Sequence, residues 1–337
     1  MSNRSVFSRC VWLCLGVIAL STHLARAQQK ENEKQKPKPA TNAQAEPTYA
    51  DVSYGPAARN VLDFYQAAGD QPAPLLIYIH GGGFVAGDKR QGISPVMIQV
   101  LKQAGVHFAA INYRFVDGKE VLFPTPQLDG ARAVQFLRSK AGAWKIDPKR
   151  LACFGGSAGA GISLWIGFHD DLADPDNADP VLRQSTRISA VGSIGGQPTY
   201  DPIKIRELIG GRAWEHPSIV KVYGLKNIDE ALHPTPAQQR LYDESSAITW
   251  LTKDDPPVFM VYNEADGPLP ADAKPGQGIH HPNFGRMLKE RMDELGIENV
   301  FVNQSADKDK AQDANRQMLE FLRRHLGLST DRKDARE

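Results

Sequence analysis

The stretch "ACFGGSAGAGISLW" (residues 152–165) reads as an apolar strand, a serine flanked by glycines, and then a helix. Inside it, "GGSAG" (155–159) fits the pattern G-x-S-x-G. A strand-to-helix reversal this tight brings neighbouring backbone too close for side chains, so Gly155 and Gly159 are required where they stand. The reversal lifts the Ser157 hydroxyl above the carboxyl edge of a sheet, at the N-terminus of a helix whose dipole favours negative charge. That is the placement a nucleophilic serine needs, and it raises the question of which groups elsewhere accept its proton and hold an oxyanion.

One answer lies upstream. The apolar run "LLIYIH" (75–80) breaks into "HGGGF" (80–84). Three consecutive glycines leave backbone N–H groups uncovered and able to point at an anion. Together with the N–H of Ala158, such donors would stabilise a tetrahedral oxyanion. No P-loop lysine follows, so a phosphate nest is the weaker reading. His80 itself suits hydrogen bonds that shape the loop.

From about residue 50 onward apolar runs alternate with helical segments, which implies a mainly parallel sheet with helices on both faces, an α/β fold. The strand candidates are 75–80, "HFAAINYR" (107–114), "RLACFG" (150–155), "ISAVGSIGG" (188–196), "PVFMVYN" (257–263) and "NVFVN" (299–303). Helical candidates are 94–105, 126–144, 160–172, 282–296 and 313–327, the second with one face at Leu128, Ala131, Val134, Gln135 and Leu137. The proline-interrupted stretch 197–256 shows helical pieces without strands between them and reads as a lid.

The 337 residues are 41% hydrophobic and 23% charged, ordinary for a globular chain with a sizeable core. Arg4 and Arg9, the short apolar run "VWLCLGVIAL" (11–20) and "ARA" (25–27) form an export-signal pattern, with cleavage expected near Ala27. The apolar run is too short to span a bilayer comfortably, so no stable membrane anchor is expected, and the product would be periplasmic or secreted. Cleavage removes three arginines and no acid, leaving 37 basic against 39 acidic residues. That balance suggests neither a nucleic-acid nor an anionic-membrane partner. It also leaves Cys153 as the one remaining cysteine, on a buried strand, without an internal disulfide. Residues 28–47 are polar and Lys/Pro-rich and read as a disordered spacer. The folded unit is expected over 48–328, followed by a polar tail, 329–337.

With HGGG and G-x-S-x-G each following a strand, the chain resembles the hormone-sensitive-lipase-like branch of the α/β-hydrolases, over roughly residues 50–327. "NYR" (112–114) and "DPKRLACFGGSAGAG" add to the likeness. The resemblance implies a sheet of about eight strands and a helical lid. It also implies Ser157 as nucleophile, and Gly82, Gly83 and Ala158 as oxyanion donors. In that branch the acid follows the strand after the lid, and the histidine follows the last strand. Asp266, in "VYNEADGPLP" (261–270), stands in the acid position, with Glu264 as competitor. The histidine position is empty, for "QSADKDKAQ" (304–312) has none.

Three histidines follow Asp266. His325 lies in the terminal helix and reads as a helix-end residue. His280 and His281, in "GQGIHHPNFG" (276–285), lie on a loop joining the carboxyl edge of a strand to a helix start, both on the active-site rim of such folds. Triads are defined by geometry and not by chain order, so either could serve Ser157, while adjacent loop side chains point apart. The other would pack or cap before Pro282. His216 and His233 are candidates to line the lid. "DPDNADP" (174–180) lacks the spacing of a calcium loop and reads as a solvated turn. No ligand spacing supports a metal hydrolase around His280 and His281, and no cofactor is expected. These residues together specify an exported serine carboxylic-ester hydrolase acting on a small ester or a polysaccharide-linked acyl group. The competing reading is a non-catalytic hydrolase-fold protein that binds a small ligand or carbohydrate ester.

Overall fold

The computed structural model describes residues 45–306 and 313–328. The expected export signal, spacer residues 28–44, residues 307–312 and the tail 329–337 lie outside the described residues.

Eight strands form one sheet: β1 (Tyr49–Ser53), β2 (Val61–Tyr65), β3 (Ala73–Ile79), β4 (His107–Ile111), β5 (Ile146–Gly156), β6 (Val191–Ile194), β7 (Val258–Tyr262) and β8 (Asn299–Asn303). Their order is β1-β2-β4-β3-β5-β6-β7-β8. The first two pairings are antiparallel, and every pairing from β4·β3 onward is parallel. The strands read as continuous apolar runs because both faces of the sheet are covered. On β3, Leu75, Ile77 and Ile79 join one core cluster while Leu76 and Tyr78 join the other. β5 repeats this alternation, with Leu151 and Cys153 on the first side and Ala152 and Phe154 on the second. Helices Thr125–Ser139 and Ala158–Phe168 cover the first face, and helices Pro95–Gln103 and Ala314–His325 the second. Burial pushes the Cys153 thiol up to about 12, so it packs as a small apolar side chain.

β1 and β2 are absent from the strand candidates above. β1 is an exposed edge strand without apolar alternation. In β2 a carboxylate interrupts the apolar run: Asp63 is fully buried and paired with Lys89 (3.2 Å) and Arg90 (2.8 Å). A buried ion pair conceals the pattern on which strand recognition from sequence depends. The helix Thr125–Ser139 buries Ala131, Val134, Gln135 and Leu137 as read, whereas Leu128 faces outward, 44% exposed. Gln135 belongs on the inner face because its amide donates to the carbonyls of Leu172, Leu182 and Gln184, fastening the following loop. In that loop 174–180 forms turns closed by Asp174, Asn177 and Asp179 side chains.

Between β6 and β7 the described residues contain helices and no strand, the longest being Pro202–Ile209 and Pro236–Ser245. Each starts on a built signal. Asp201 accepts from the N–H groups of Ile203 and Lys204 ahead of Pro202, and Thr235 forms a capping box with Gln238 ahead of Pro236. The strands β3, β5, β6 and β7 run parallel, so their carboxyl ends lie at one edge of the sheet.

Candidate active site

β5 ends in the turn that carries Ser157, and the helix Ala158–Phe168 begins at the next residue. The turn is packed without clearance. A Cβ at Gly159 would stand 2.0 Å from the carbonyl oxygen of Ile79, and one at Gly155 would stand 2.5 Å from the same atom. Ser157 itself has φ 52° and ψ −121°, a strained conformation for a residue with a side chain. Its N–H donates to the Ile194 carbonyl (2.8 Å), which ties the turn to β6. Ala158 supplies one of the first N–H groups of the helix, which have no acceptor within it.

His280 Nε2 lies 2.8 Å from Ser157 Oγ. On the far side of the ring, Nδ1 lies 3.4 Å from Glu264 Oε1, an ion-pair distance longer than an ideal hydrogen bond. Two residues just past the end of β6 hold the ring there. Gly195, with φ 59°, leaves its Cβ position against the His280 ring at 3.2 Å. Buried Gln197 donates from Nε2 to the carbonyls of Gly195 (2.9 Å) and Ile279 (2.6 Å), fastening the residue before His280 to the end of the sheet. Sequence reasoning passed over Gln197, because an isolated glutamine beyond a strand carries no motif.

The neighbouring pair goes elsewhere. Asp266, the favoured acid from sequence, does not reach either histidine: its carboxylate pairs with Arg286 and accepts from Asn303 Nδ2 (3.4 Å). The Arg286 guanidinium holds its carboxyl below the usual carboxylate range. Arg286 lies in the first turn of helix Asn283–Glu294 and reaches back across the loop. His281 is buried, with both ring nitrogens engaged. Nε2–H donates to the Gly267 carbonyl (2.8 Å), and Nδ1 accepts from the N–H of Asn283 (3.1 Å) at the helix start. It is the capping histidine of the pair.

His80 shapes the glycine loop, as read. Nδ1–H donates to the Gly81 carbonyl (2.7 Å), the ring stacks on Tyr113 at 4.4 Å, and the Tyr113 hydroxyl donates to the His80 carbonyl (3.0 Å). Burial pushes its pKa down, which keeps the ring neutral beside Arg59. A cavity of about 390 Å³ opens above Ser157. Gly82, Gly83, Ala158 and His280 line it at the reacting end, and Phe84, Tyr200, Ile219 and Val222 make it largely apolar. His216 also lines it, while His233 does not. His325 lies against Phe321 and Glu298 at the end of the last helix, away from the cavity. Chemically, a strained serine in contact with an imidazole backed by a carboxylate can add to an acyl carbon.

The BD-FAE family profile matches residues 62–274. The chain is 26% identical over 230 residues to the probable carboxylic ester hydrolase LipM of Mycobacterium tuberculosis, covering 67% of this chain and 50% of that protein. It spans about half the length of the curated relatives it matches most extensively. Among solved structures it is similar to esterase Est2 of the planctomycete Thermogutta terrifontis, with TM-score 0.59 and 18% identity, covering 89% of this chain and 99% of that one. It is likewise similar to an acetyl ester-xyloside bifunctional hydrolase from Caldicellulosiruptor lactoaceticus, with TM-score 0.58, 19% identity and coverage of 80% and 88%. These two likenesses concern the fold alone. With its sheet order, its strained serine turn and a profile match running from β2 through β7, the chain belongs to the BD-FAE family, a family of the α/β-hydrolase type.

Proposed function

We propose that this chain hydrolyses small carboxylic esters through an acyl-enzyme on Ser157. The observation that carries the reading is the 2.8 Å contact between Ser157 Oγ and His280 Nε2. In this reading the serine O–H donates to Nε2, so the neutral ring keeps its proton on Nδ1, facing Glu264. As Oγ attacks the carbonyl carbon, Nε2 takes the hydroxyl proton and Glu264 steadies the imidazolium that forms. The carbonyl oxygen becomes an oxyanion met by the N–H groups of Gly82, Gly83 and Ala158. Collapse of the intermediate expels the alcohol, which receives the proton from Nε2, and a water activated by the same nitrogen then releases the acid.

The base therefore precedes the last strand in the chain, and Glu264 takes the acid role first read for Asp266. The cavity size and apolar lining support a short acyl group on a small-molecule or carbohydrate-linked ester. The amino-terminal pattern supports export with cleavage near Ala27, so the site would work in the periplasm or outside the cell. The non-catalytic reading rests on the histidine-free stretch 304–312. A histidine in contact with the serine from another loop removes its motive.

Reaction with a fluorophosphonate probe tests the proposal, read by intact-protein and peptide mass spectrometry. One adduct per chain on Ser157, with parallel loss of p-nitrophenyl acetate turnover, is the expected result. Turnover that persists in Ser157→Ala, or a protein that neither reacts nor cleaves any ester, would overturn it.

A further inference from the structure

Resting on the ester-hydrolase reading, one polar group in the cavity stands out. Gln197 spends its amide on two carbonyls, the Tyr200 hydroxyl donates to Gln197 Oε1 (3.3 Å), and Ser218 Oγ donates to the Gly83 carbonyl (2.7 Å). His216 differs. Its Nδ1 accepts the N–H of Ser218 (3.2 Å), so the proton of the neutral ring resides on Nε2. Among the described residues nothing accepts from Nε2, although the ring lines the cavity.

The ring is wedged between the two loops that flank the reacting centre. Its Cε1 edge lies 3.4 Å from the Cβ position of Gly83, and its Cδ2 edge lies 2.9 Å from that of Gly276, on the loop that carries His280. Nε2 is the atom between those two edges. Burial, and next the neighbouring His280, push the His216 pKa down, so the ring remains a neutral donor. The alcohol half of an ester must leave toward the nitrogen that protonates it, which is His280 Nε2. The wedge between the glycine loop and the His280 loop borders that side.

We propose that His216 is a specificity-determining residue whose Nε2–H donates to a second oxygen on the alcohol half of the substrate. The preferred substrates are then esters of hydroxylated alcohols, such as glycols, glycerol and sugars, over esters of simple alkanols. An open donor inside an apolar cavity discriminates because an alkyl group in its place leaves the N–H without water or partner.

The test compares two isosteric acetates, 2-hydroxyethyl acetate and propyl acetate, as the ratio of their kcat/KM values on the full chain. In His216→Leu and His216→Asn this ratio should fall roughly threefold to tenfold, the range for one neutral hydrogen bond. The asparagine keeps an acceptor for the Ser218 N–H but has no donor at the Nε2 position. His216→Gln, whose amide reaches that position, should recover most of the ratio, which a merely structural role would not do. Three outcomes overturn the proposal. One is an unchanged ratio in both His216→Leu and His216→Asn, and another is a glutamine variant as low as the leucine one. The third is a loss confined to the acyl-side pair, methyl 3-hydroxypropanoate against methyl butanoate. Failure of the wild type to cleave any of these esters would instead sink the ester-hydrolase reading itself.

Discussion

The loop between β7 and the helix Asn283–Glu294 begins with two acids close together, Glu264 and Asp266, and ends with two adjacent histidines, His280 and His281. One member of each pair faces Ser157, and the other is spent on the loop. His280 touches the serine at 2.8 Å and Glu264 stands behind it, while His281 ties Gly267 to the helix start and Asp266 grips Arg286. The four residues share a loop and a chemistry, so composition does not separate them. What separates them is which partner claims each side chain first. Asp266 has a guanidinium within reach and His281 has two backbone groups. The partially exposed Glu264 and His280 are left for each other, with side chains 32% and 34% accessible, and of the two only His280 lines the cavity.

That division can be broken by substitution. The largest effect is expected at the contact itself: Ser157→Ala and His280→Ala should each lower kcat/KM for p-nitrophenyl acetate by about a thousandfold or more, with melting temperatures close to wild type. Next come the carboxylates. Glu264→Gln should lower kcat by about a hundredfold, whereas Asp266→Asn should stay within about threefold, because only the first steadies a positive ring. Equal losses in the two variants would erase the distinction between them. Gln197→Leu sharpens it further: with the Ile279 carbonyl released, kcat should fall roughly tenfold while KM changes little, the mark of a positioning residue.

Smaller effects fall on stability. His281→Ala removes one donor and one acceptor at a buried helix start, a cost of about 1–3 kcal/mol by denaturant titration, with activity per folded molecule retained. The Asp266–Arg286 pair is half-exposed, so Arg286→Ala should cost less than about 1 kcal/mol at neutral pH. Because the folded-state pKa of Asp266 is lowered, its contribution is present above the unfolded value of about 3.9 and is lost as pH falls through the folded one. The stability difference between wild type and Arg286→Ala should therefore shrink in acid, measured as melting temperature from about pH 5 downward.

Much of this was legible in the sequence because it rests on local rules. The serine turn is a matter of glycine spacing, and the parallel strands β3 to β8 are apolar runs that need no partner to be recognised. β2 was not legible, since Asp63 becomes a strand residue only when Lys89 and Arg90 fold over it. The proposed site divides the same way. Ser157, the glycines and the presence of a histidine at 280 or 281 follow from motif and loop position. The choice of Glu264 over Asp266 depends on Arg286, twenty residues further along, and the roles of Gln197 and His216 depend on contacts between loops that share no motif.

The proton acceptor proposed for Ser157 is His280, on a loop before the last described strand. Chemical rescue tests it most directly, with imidazole titrated into His280→Ala, His281→Ala and Ser157→Ala while p-nitrophenyl acetate turnover is followed. Saturable recovery is expected in His280→Ala above the buffer rate, with no recovery in Ser157→Ala and no need of it in His281→Ala. Near wild-type turnover in His280→Ala, or rescue confined to His281→Ala, would contradict it.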